Sequence, residues 1–187
     1  MQRRAFSSLL FLSLTGGGLP PVCWALTPDE VMVDAHDGSY SARLSMRVAV
    51  TVNLALAVLT DFEQMPAFMP GLQSSRIIGQ EGRNFHVLQR GRVEFSLLSV
   101  DYESERQIEV IDGRRILSRS LGNSGSQTRS EMRLTPQGNF TRLDYQIEIT
   151  PDRWLPTALA RNFFQHELAE QFSALEKEML RRSLGGR

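Results

Sequence analysis

The residues that most readily bind metals are sparse in this sequence. Its three histidines, His36, His86 and His166, stand far apart, and none belongs to a His-Glu-x-x-His or similar ligand pattern. His166 and Glu167 are adjacent, but neighbours on a helix diverge by about 100°, so we do not expect them to share an ion. The single cysteine, Cys23, has no partner at ligand spacing. The spacing therefore predicts no metal site and no cofactor.

Motifs for nucleophilic catalysis or phosphate binding are not found either. The chain contains no Gly-x-Ser-x-Gly elbow. The glycine-rich stretch at 121–126 is not followed by Lys-Ser or Lys-Thr, and no helix signal begins there. A hairpin turn or loop is the favoured interpretation of this stretch. The sequence thus assigns no catalytic residue.

Charged residues on strand-like segments are the remaining candidates for acid–base chemistry. If one of them pointed into an apolar cavity, its pKa would shift and it could transfer protons or anchor a ligand. The alternation of the strands instead favours a solvent-facing position, with weak pairs between neighbouring strands. This set comprises Asp101, Glu103, Glu109, Glu131 and Glu148, accompanied by Arg90, Arg92, Arg119, Arg129 and Arg133.

Length and composition predict one globular domain. The chain has 187 residues, of which 41% are hydrophobic and 22% charged, which is ordinary for a folded protein. Its 21 basic and 21 acidic residues balance. A nucleic-acid-binding domain usually shows a basic excess, so we expect no nucleic-acid partner.

The first 25 residues have the layout of a secretory signal peptide. Arg3 and Arg4 precede an apolar stretch at 5–14 that is too short to span a bilayer. A break rich in Gly and Pro follows, and Cys23 and Ala25 occupy the −3 and −1 positions of a cleavage site. The pattern predicts cleavage after Ala25, leaving residues 26–187 as a single domain in the periplasm.

Two details of export bear on the mature protein. The arginine pair leaves open whether the general or the twin-arginine route is used. Pro21 and Val22 precede Cys23 where a lipid-attachment signal carries a small residue, which argues against a lipid anchor. Removal of Cys23 with the signal leaves a chain without thiols and therefore without disulfides.

Hydrophobic periodicity outlines the elements of the mature domain. Residues 31–35 could form a short strand, and the alternation from Tyr40 to Val50 marks a half-buried strand. Two short helices follow, the first capped by Asn53 and the second by Asp61. Strand-like stretches separated by turn signals, among them Gly91, continue to Thr150 without intervening helices, which predicts an antiparallel meander.

The longest helical pattern runs from about Leu155 to Arg182. Its apolar residues step by three or four and form one stripe that must be buried. A sheet with one apolar face also needs a cover, so the sheet is expected to curl around this helix in an α+β grip. The stripe comprises Ala160, Phe164, Leu168, Phe172, Leu175 and Met179, with Phe163 beside it.

These features resemble the START-like superfamily, in particular its polyketide cyclase/dehydrase and coenzyme-Q-binding branch. The segment VLTDFEQMPAFMPGL at 58–72 is similar to a motif of that branch. The sequence Trp-Leu-Pro at 154–156 and the turn Thr-Pro-Gln-Gly at 135–138 match in order and spacing. The resemblance covers residues 40–182.

The resemblance implies a helix-grip fold, with about seven strands around a long C-terminal helix and two short helices after the first strand. It also implies a cavity between sheet and helix for lipids, isoprenoids or polyketides, and it carries no universal catalytic triad. The expected ligand-binding residues lie at the pocket mouth and along the helix: Met65, Phe68, Met69, Leu72, Phe163, Phe164, Leu168 and Phe172.

Three functions are compatible with this interpretation. The favoured one is a carrier or binding protein for a hydrophobic small molecule, with transient membrane contact and no obligate protein partner. The alternative is a cyclase or dehydratase that uses an acid–base residue in the cavity, with Asp101, Glu131, Arg90 and Tyr145 as first candidates. A third is an interaction module of the cell envelope, which predicts a filled cavity.

Overall fold

The computed structural model describes residues 27, 30–95, 98–122, 126–152 and 157–185. Two of the expectations above, the signal peptide at 1–25 and the Trp-Leu-Pro sequence at 154–156, lie outside these residues. The strands are β1 Met32–His36, β2 Ser39–Val48, β3 Leu72–Glu81, β4 Asn84–Phe95, β5 Leu98–Ile111, β6 Arg115–Ser120, β7 Gln127–Gln137 and β8 Phe140–Thr150. The helices are α1 Val52–Leu59, a 3₁₀ helix Phe62–Ala67, and α2 Thr157–Gly185.

The strands form a single antiparallel sheet in the order β1-β2-β8-β7-β6-β5-β4-β3. The sheet is curved and unclosed, and α2 lies against its inner face, so the predicted α+β helix grip is confirmed. The sheet has eight described strands instead of about seven, because the possible short strand at 31–35 does form, one residue later, as the edge strand β1 beside β2.

Alternating burial in β2 builds the packed part of the core. Every second residue from Tyr40 to Val48 is buried, and the intervening residues are exposed. The buried residues pair with inward residues of β8, among them Leu143, which is fully buried. The Thr141 hydroxyl, also fully buried, donates a hydrogen bond of 2.8 Å to the Val50 carbonyl. The buried residues of β2 and β8 supply a close-packed surface for α2.

The apolar stripe of α2 is buried along its whole length. All six residues predicted for it are at most 9% exposed. Phe164 packs against Tyr40 with ring centroids 5.3 Å apart, and Phe172 packs against Tyr145 at 5.0 Å. These contacts seat the helix on β2 and β8.

The structure corrects three local predictions. Thr51, and not Asn53, caps α1 by accepting a hydrogen bond from the Leu54 backbone, since the helix begins at Val52. Asp61 precedes the 3₁₀ helix but makes no side-chain cap, because its carboxylate is engaged elsewhere, as described below. Gly91, predicted as a turn, lies inside β4.

Within the described residues, no helix is both long enough and apolar enough to cross a bilayer.

Candidate ligand site between sheet and helix

The predicted pocket mouth forms a connected segment at one edge of the interior. We call residues 61–72 the rim segment; it contains the 3₁₀ helix and leads into β3. Met65, Phe68 and Met69 are partly buried and pack against the core, and Leu72 is also partly buried. The Met65 sulfur lies 3.8 Å from the Gln89 amide nitrogen on the inner face of β4. The rim segment therefore covers part of the sheet's inner face.

Arg182, near the end of α2, ties the rim segment to the helix. Its guanidinium lies 2.8 Å from the Asp61 carboxylate, and its carbon Cζ lies 5.9 Å from the centre of the Phe68 ring. The same guanidinium also bonds Glu178, one turn earlier. Hydrogen bonds from Arg181 and Arg182 lower the pKa of Glu178 to about 2, although burial opposes the shift. The ties keep the rim segment over the interior.

The predicted residues of α2 divide into two environments. Phe164, Leu168 and Phe172 are buried in the packed half of the core, where Phe164 and Phe172 stack on tyrosines. Phe163 is partly buried and meets Phe164 edge to face at 5.2 Å. Three of the four predicted helix residues are thus part of the hydrophobic core, whereas Phe163 is only partly buried at the edge of it.

A band of polar side chains crosses the inner face of β3 to β7. The strand register places its members beside one another and on the side that faces α2, in the same phase as the buried Val87, Ile108 and Ile116. The Gln89 amide donates a hydrogen bond of 3.2 Å to the Ser75 hydroxyl. We call this set the polar band: Ser75, Gln89, Tyr102, Ser104, Arg106, Ser118, Ser120 and Ser130.

The absence of a side chain at Gly91 makes room for the Tyr102 ring. The two residues are paired across β4 and β5. A Cβ built on Gly91 would lie 2.7 Å from the Tyr102 hydroxyl and would also collide with the carbonyl oxygen of Gly71. That carbonyl accepts a hydrogen bond of 2.8 Å from the Arg92 backbone, which joins the rim segment to β4. The Tyr102 ring thereby lies over the strand with its hydroxyl at the rim.

Glu167 on α2 and Arg106 on β5 complete a polar cluster around Tyr102. The Gln171 amide donates a hydrogen bond of 2.6 Å to one Glu167 oxygen, one helical turn away. Arg106 shares the inward phase of Tyr102, and its buried Nε atom has no hydrogen-bond partner among the described residues. We call Tyr102, Arg106, Glu167 and Gln171 the polar cluster.

Burial governs the acid–base character of the polar cluster. It raises the pKa of Glu167, an effect that the hydrogen bond from Gln171 partly offsets. Burial also raises the pKa of Tyr102, where the Glu167 charge adds to the rise and the Arg106 charge opposes it. Glu167 and Arg106 thus each act electrostatically on Tyr102, and burial lets Glu167 take up its proton at a higher pH than an ordinary glutamate.

The side chains on this inner surface remain partly exposed. Tyr102, Ser104, Arg106, Glu167 and Gln171 all retain some accessible surface, whereas the inward residues of β2 from Tyr40 to Val48 are all buried. Partial exposure of inward-facing side chains indicates space between β4, β5 and α2 that water can reach. Such a space with a few polar groups has the character of a small-molecule site.

The charged strand residues face the other way. All ten of them lie in the outward phase, and several form ion pairs there, such as Arg92 with Asp101 at 2.7 Å across β4 and β5. Arg90 pairs with Glu103, and Glu131 accepts from Arg115 and Arg133. Of the four first candidates for a cyclase, only Tyr145 faces inward; Asp101, Arg90 and Glu131 do not.

A groove of about 650 Å³ lies on the outer face of the sheet, between β2 and β5. Arginines and glutamates line it in equal number, including Arg43, Arg129, Glu109 and Glu148. Arg119 is held by the Gln107 amide oxygen at 2.9 Å. This groove is separate from the inner surface described above, because the sheet itself divides them.

The histidines do not assemble a metal site within the described part of the chain. Each lies beside one carboxylate: His36 by Asp37, His86 by Glu105, and His166 by Glu170. No group of three or more potential ligands comes together among these residues.

The sequence profile of one protein family matches residues 40–180, most of the chain. The description of that family is polyketide cyclase / dehydrase and lipid transport. The chain belongs to this family. The resemblance inferred from the sequence is therefore confirmed at the level of family and fold. Curated proteins offer no significant match.

Solved structures of related fold include lipid-transfer and cyclase proteins. A STAR-related lipid transfer protein from Xanthomonas axonopodis is 14% identical, with a TM-score of 0.63 over 81% of this chain and 99% of that one. The Zhui aromatase/cyclase from a Streptomyces species is 15% identical, with a TM-score of 0.60 over 78% and 96%. A START superfamily protein from Mycobacterium smegmatis is 14% identical, with a TM-score of 0.64 over 75% and 97%. At these identities the likeness shows the shared fold.

Proposed function

We propose that this member of the polyketide cyclase / dehydrase and lipid transport family binds a hydrophobic small molecule between its sheet and α2, as a carrier or binding protein. The observation that carries the proposal is the partly exposed inner surface of β4, β5 and α2, which lies on the same face of the sheet as the buried residues of β2. Burial of apolar ligand surface would supply most of the affinity, at about 25 cal/mol per Å². The few polar groups would orient the ligand.

The rim segment and the adjoining face of α2 are the proposed contacts. Met65 contacts Gln89 of the polar band and, being flexible and polarisable, can adapt to different ligand shapes. Phe68, Met69 and Leu72 continue the apolar rim, and Phe163 adds a partly buried apolar side chain near the start of α2. Phe164, Leu168 and Phe172 would form the floor behind them, since they are already packed on β2 and β8.

A cyclase or dehydratase is the second candidate, and one observation favours it. Glu167, a carboxyl whose pKa burial raises, lies near the Tyr102 hydroxyl on the inner surface. A carboxyl that is readily protonated can serve as an acid or base in proton transfer. The charged residues that seemed suitable from the sequence would have no part in such a reaction, because they face outward.

We further propose that the protein is exported and that its mature chain begins at Leu26. Support comes from the charged start, short apolar stretch and cleavage pattern of residues 1–25.

Native mass spectrometry of protein expressed with its first 25 residues and recovered from the cell envelope tests these proposals together. We expect a mature mass starting at Leu26 and an added mass that organic solvent extracts. Absence of any bound molecule, even after incubation with quinones and lipids, would contradict the binding proposal. An incubated polyketide-like compound that returns lighter by one water would favour the cyclase.

A further inference from the structure

Two buried polar atoms on the inner face of the sheet have no hydrogen-bond partner among the described residues. They are the Nε atom of Arg106 on β5 and the hydroxyl oxygen of Ser118 on β6. Ser118 is only 8% exposed, and Arg106 is partly buried. A buried donor without an acceptor is unfavourable, so a group that accepted hydrogen bonds from both residues would be bound favourably.

The strand register places these two residues close together. Arg106 is paired with Ser120, and the next inward pair along the same two strands joins Ile108 to Ser118. Ser118 is therefore the diagonal neighbour of Arg106, at about 7–8 Å, a distance that a long side chain can span. Ser118 is also paired with Ser130 on β7, which is 7% exposed. We call Arg106, Ser118 and Ser130 the arginine–serine patch.

The neighbouring side chains leave the charge of Arg106 without a counter-ion. The Ser120 hydroxyl, directly across from Arg106, already accepts a hydrogen bond of 2.7 Å from the Thr128 backbone. The Glu167 carboxylate on α2 accepts a hydrogen bond from Gln171. Among the residues that the structure describes, none forms an ion pair with Arg106. Because an unpaired cation is unfavourable away from water, the arginine–serine patch favours a ligand that brings a negative charge.

From this arrangement we infer that the ligand is an amphipathic carboxylic acid whose carboxylate binds the arginine–serine patch. A carboxylate only accepts hydrogen bonds, whereas the Arg106 guanidinium and the two serine hydroxyls can all donate them. Hydrogen bonds between a guanidinium and a carboxylate are also shorter and stronger than those between neutral groups. A phosphate monoester would bring close to two negative charges to one cation and is less well matched. The inference rests on the proposed binding function and names the class of ligand.

Ligands matched in size but different in their polar group test this inference. Naphthoic acid, naphthol and methylnaphthalene, substituted at the same ring position, present a carboxylate, a hydroxyl and a methyl group near neutral pH. We expect calorimetric titration of the full protein to show naphthoate binding about tenfold tighter than either of the others, as one hydrogen bond to a charged group allows.

Variants assign the preference to the arginine–serine patch. Arg106→Met should remove the advantage of naphthoate while leaving the affinity for methylnaphthalene unchanged. Ser118→Ala should weaken naphthoate binding several-fold, as the loss of one hydrogen bond allows. Because it removes a hydroxyl with no described partner, its test stands even if Arg106→Met fails to fold. The matched control is Arg119→Met, which removes the same charge next to Ser118 but on the outer face, and it should leave all three affinities unchanged.

The outcomes separate this inference from the proposed function. Naphthoate binding no tighter than naphthol or methylnaphthalene would overturn the inference and leave hydrophobic binding intact. The same holds if Arg119→Met weakens naphthoate binding as much as Arg106→Met does, or if Ser118→Ala has no effect on it. Failure of all three compounds to bind would overturn both the inference and the proposed function.

Discussion

Three groups meet so closely at Gly91 that this residue decides how the rim segment joins the sheet. The carbonyl of Gly71 and the ring of Tyr102 both occupy the volume that a side chain at Gly91 would need. Because one of these neighbours is backbone, it cannot rotate away as a flexible side chain could. The junction is therefore intolerant of even a methyl group.

Gly91→Ala should lower the free energy of unfolding by about 1–3 kcal/mol, the usual cost of overpacking. It should also displace the Tyr102 ring and so weaken the binding of naphthol, used here as a small hydrophobic probe. Chemical denaturation measures the first effect and titration the second. Gly79→Ala is a suitable control, since its Cβ would meet only the His86 side chain, at 3.4 Å. Equal effects of the two substitutions would refute the special role of Gly91.

At the scale of the element, the connection between α2 and the rim segment depends on one side chain. Arg182 and Asp61 are both largely removed from solvent, at 24% and 30% exposure, whereas Arg181 on the same helix is 70% exposed. Both arginines form ion pairs with Glu178. Of the two, Arg182 is the one described as also pairing with a residue of the rim segment, Asp61. Substituting each arginine in turn therefore separates the effect of the contact with the rim segment from the effect of the contact with Glu178.

Arg182→Ala should increase amide hydrogen exchange across residues 61–72 and destabilise the fold by about 1–2 kcal/mol, more than an exposed ion pair contributes. Arg181→Ala should leave exchange in the rim segment unchanged, with a loss below about 1 kcal/mol. Mass-spectrometric hydrogen exchange on the two variants makes the comparison. If both variants behave alike, Arg182 does not hold the rim segment.

The elements also show which parts of the structure the sequence could predict. β2 and α2 were predictable because each has one apolar face and one polar face. The spacing of the apolar residues along the sequence therefore identifies which residues are buried. β4 and β5 carry polar residues on both faces: Glu103 points outward and the adjacent Ser104 inward. Alternation cannot distinguish such faces, so Tyr102 and Arg106 were missed as site residues. Glu167 was missed because it lies just beside the apolar stripe, where a charged residue ordinarily faces solvent.

At the scale of the whole molecule, the two halves of the sheet have different tasks. In the β2–β8 half the inward residues of β2 from Tyr40 to Val48 are all buried, and Leu143 beside them on β8 is fully buried. The β3–β5 half carries the polar band and lies under the rim segment. A fold that divides its interior in this way can keep an unfilled, partly polar surface because the other half supplies the stabilising core.

This division predicts that stability and binding can be separated by mutation. Leu143→Ala should cost about 2–5 kcal/mol of unfolding free energy, as expected for a buried leucine, yet leave naphthol affinity unchanged in the folded protein. Met65→Ala should weaken naphthol binding and have little effect on stability, because Met65 is only partly buried and lies at the inner surface beside Gln89. Its affinity loss should be several-fold, with a stability loss below about 1 kcal/mol, since little buried surface is removed. Chemical denaturation measures the stability of both variants, and titration measures their affinity for naphthol. If each variant lost both affinity and stability, the interior would be one cooperative unit, without separate core and ligand surfaces.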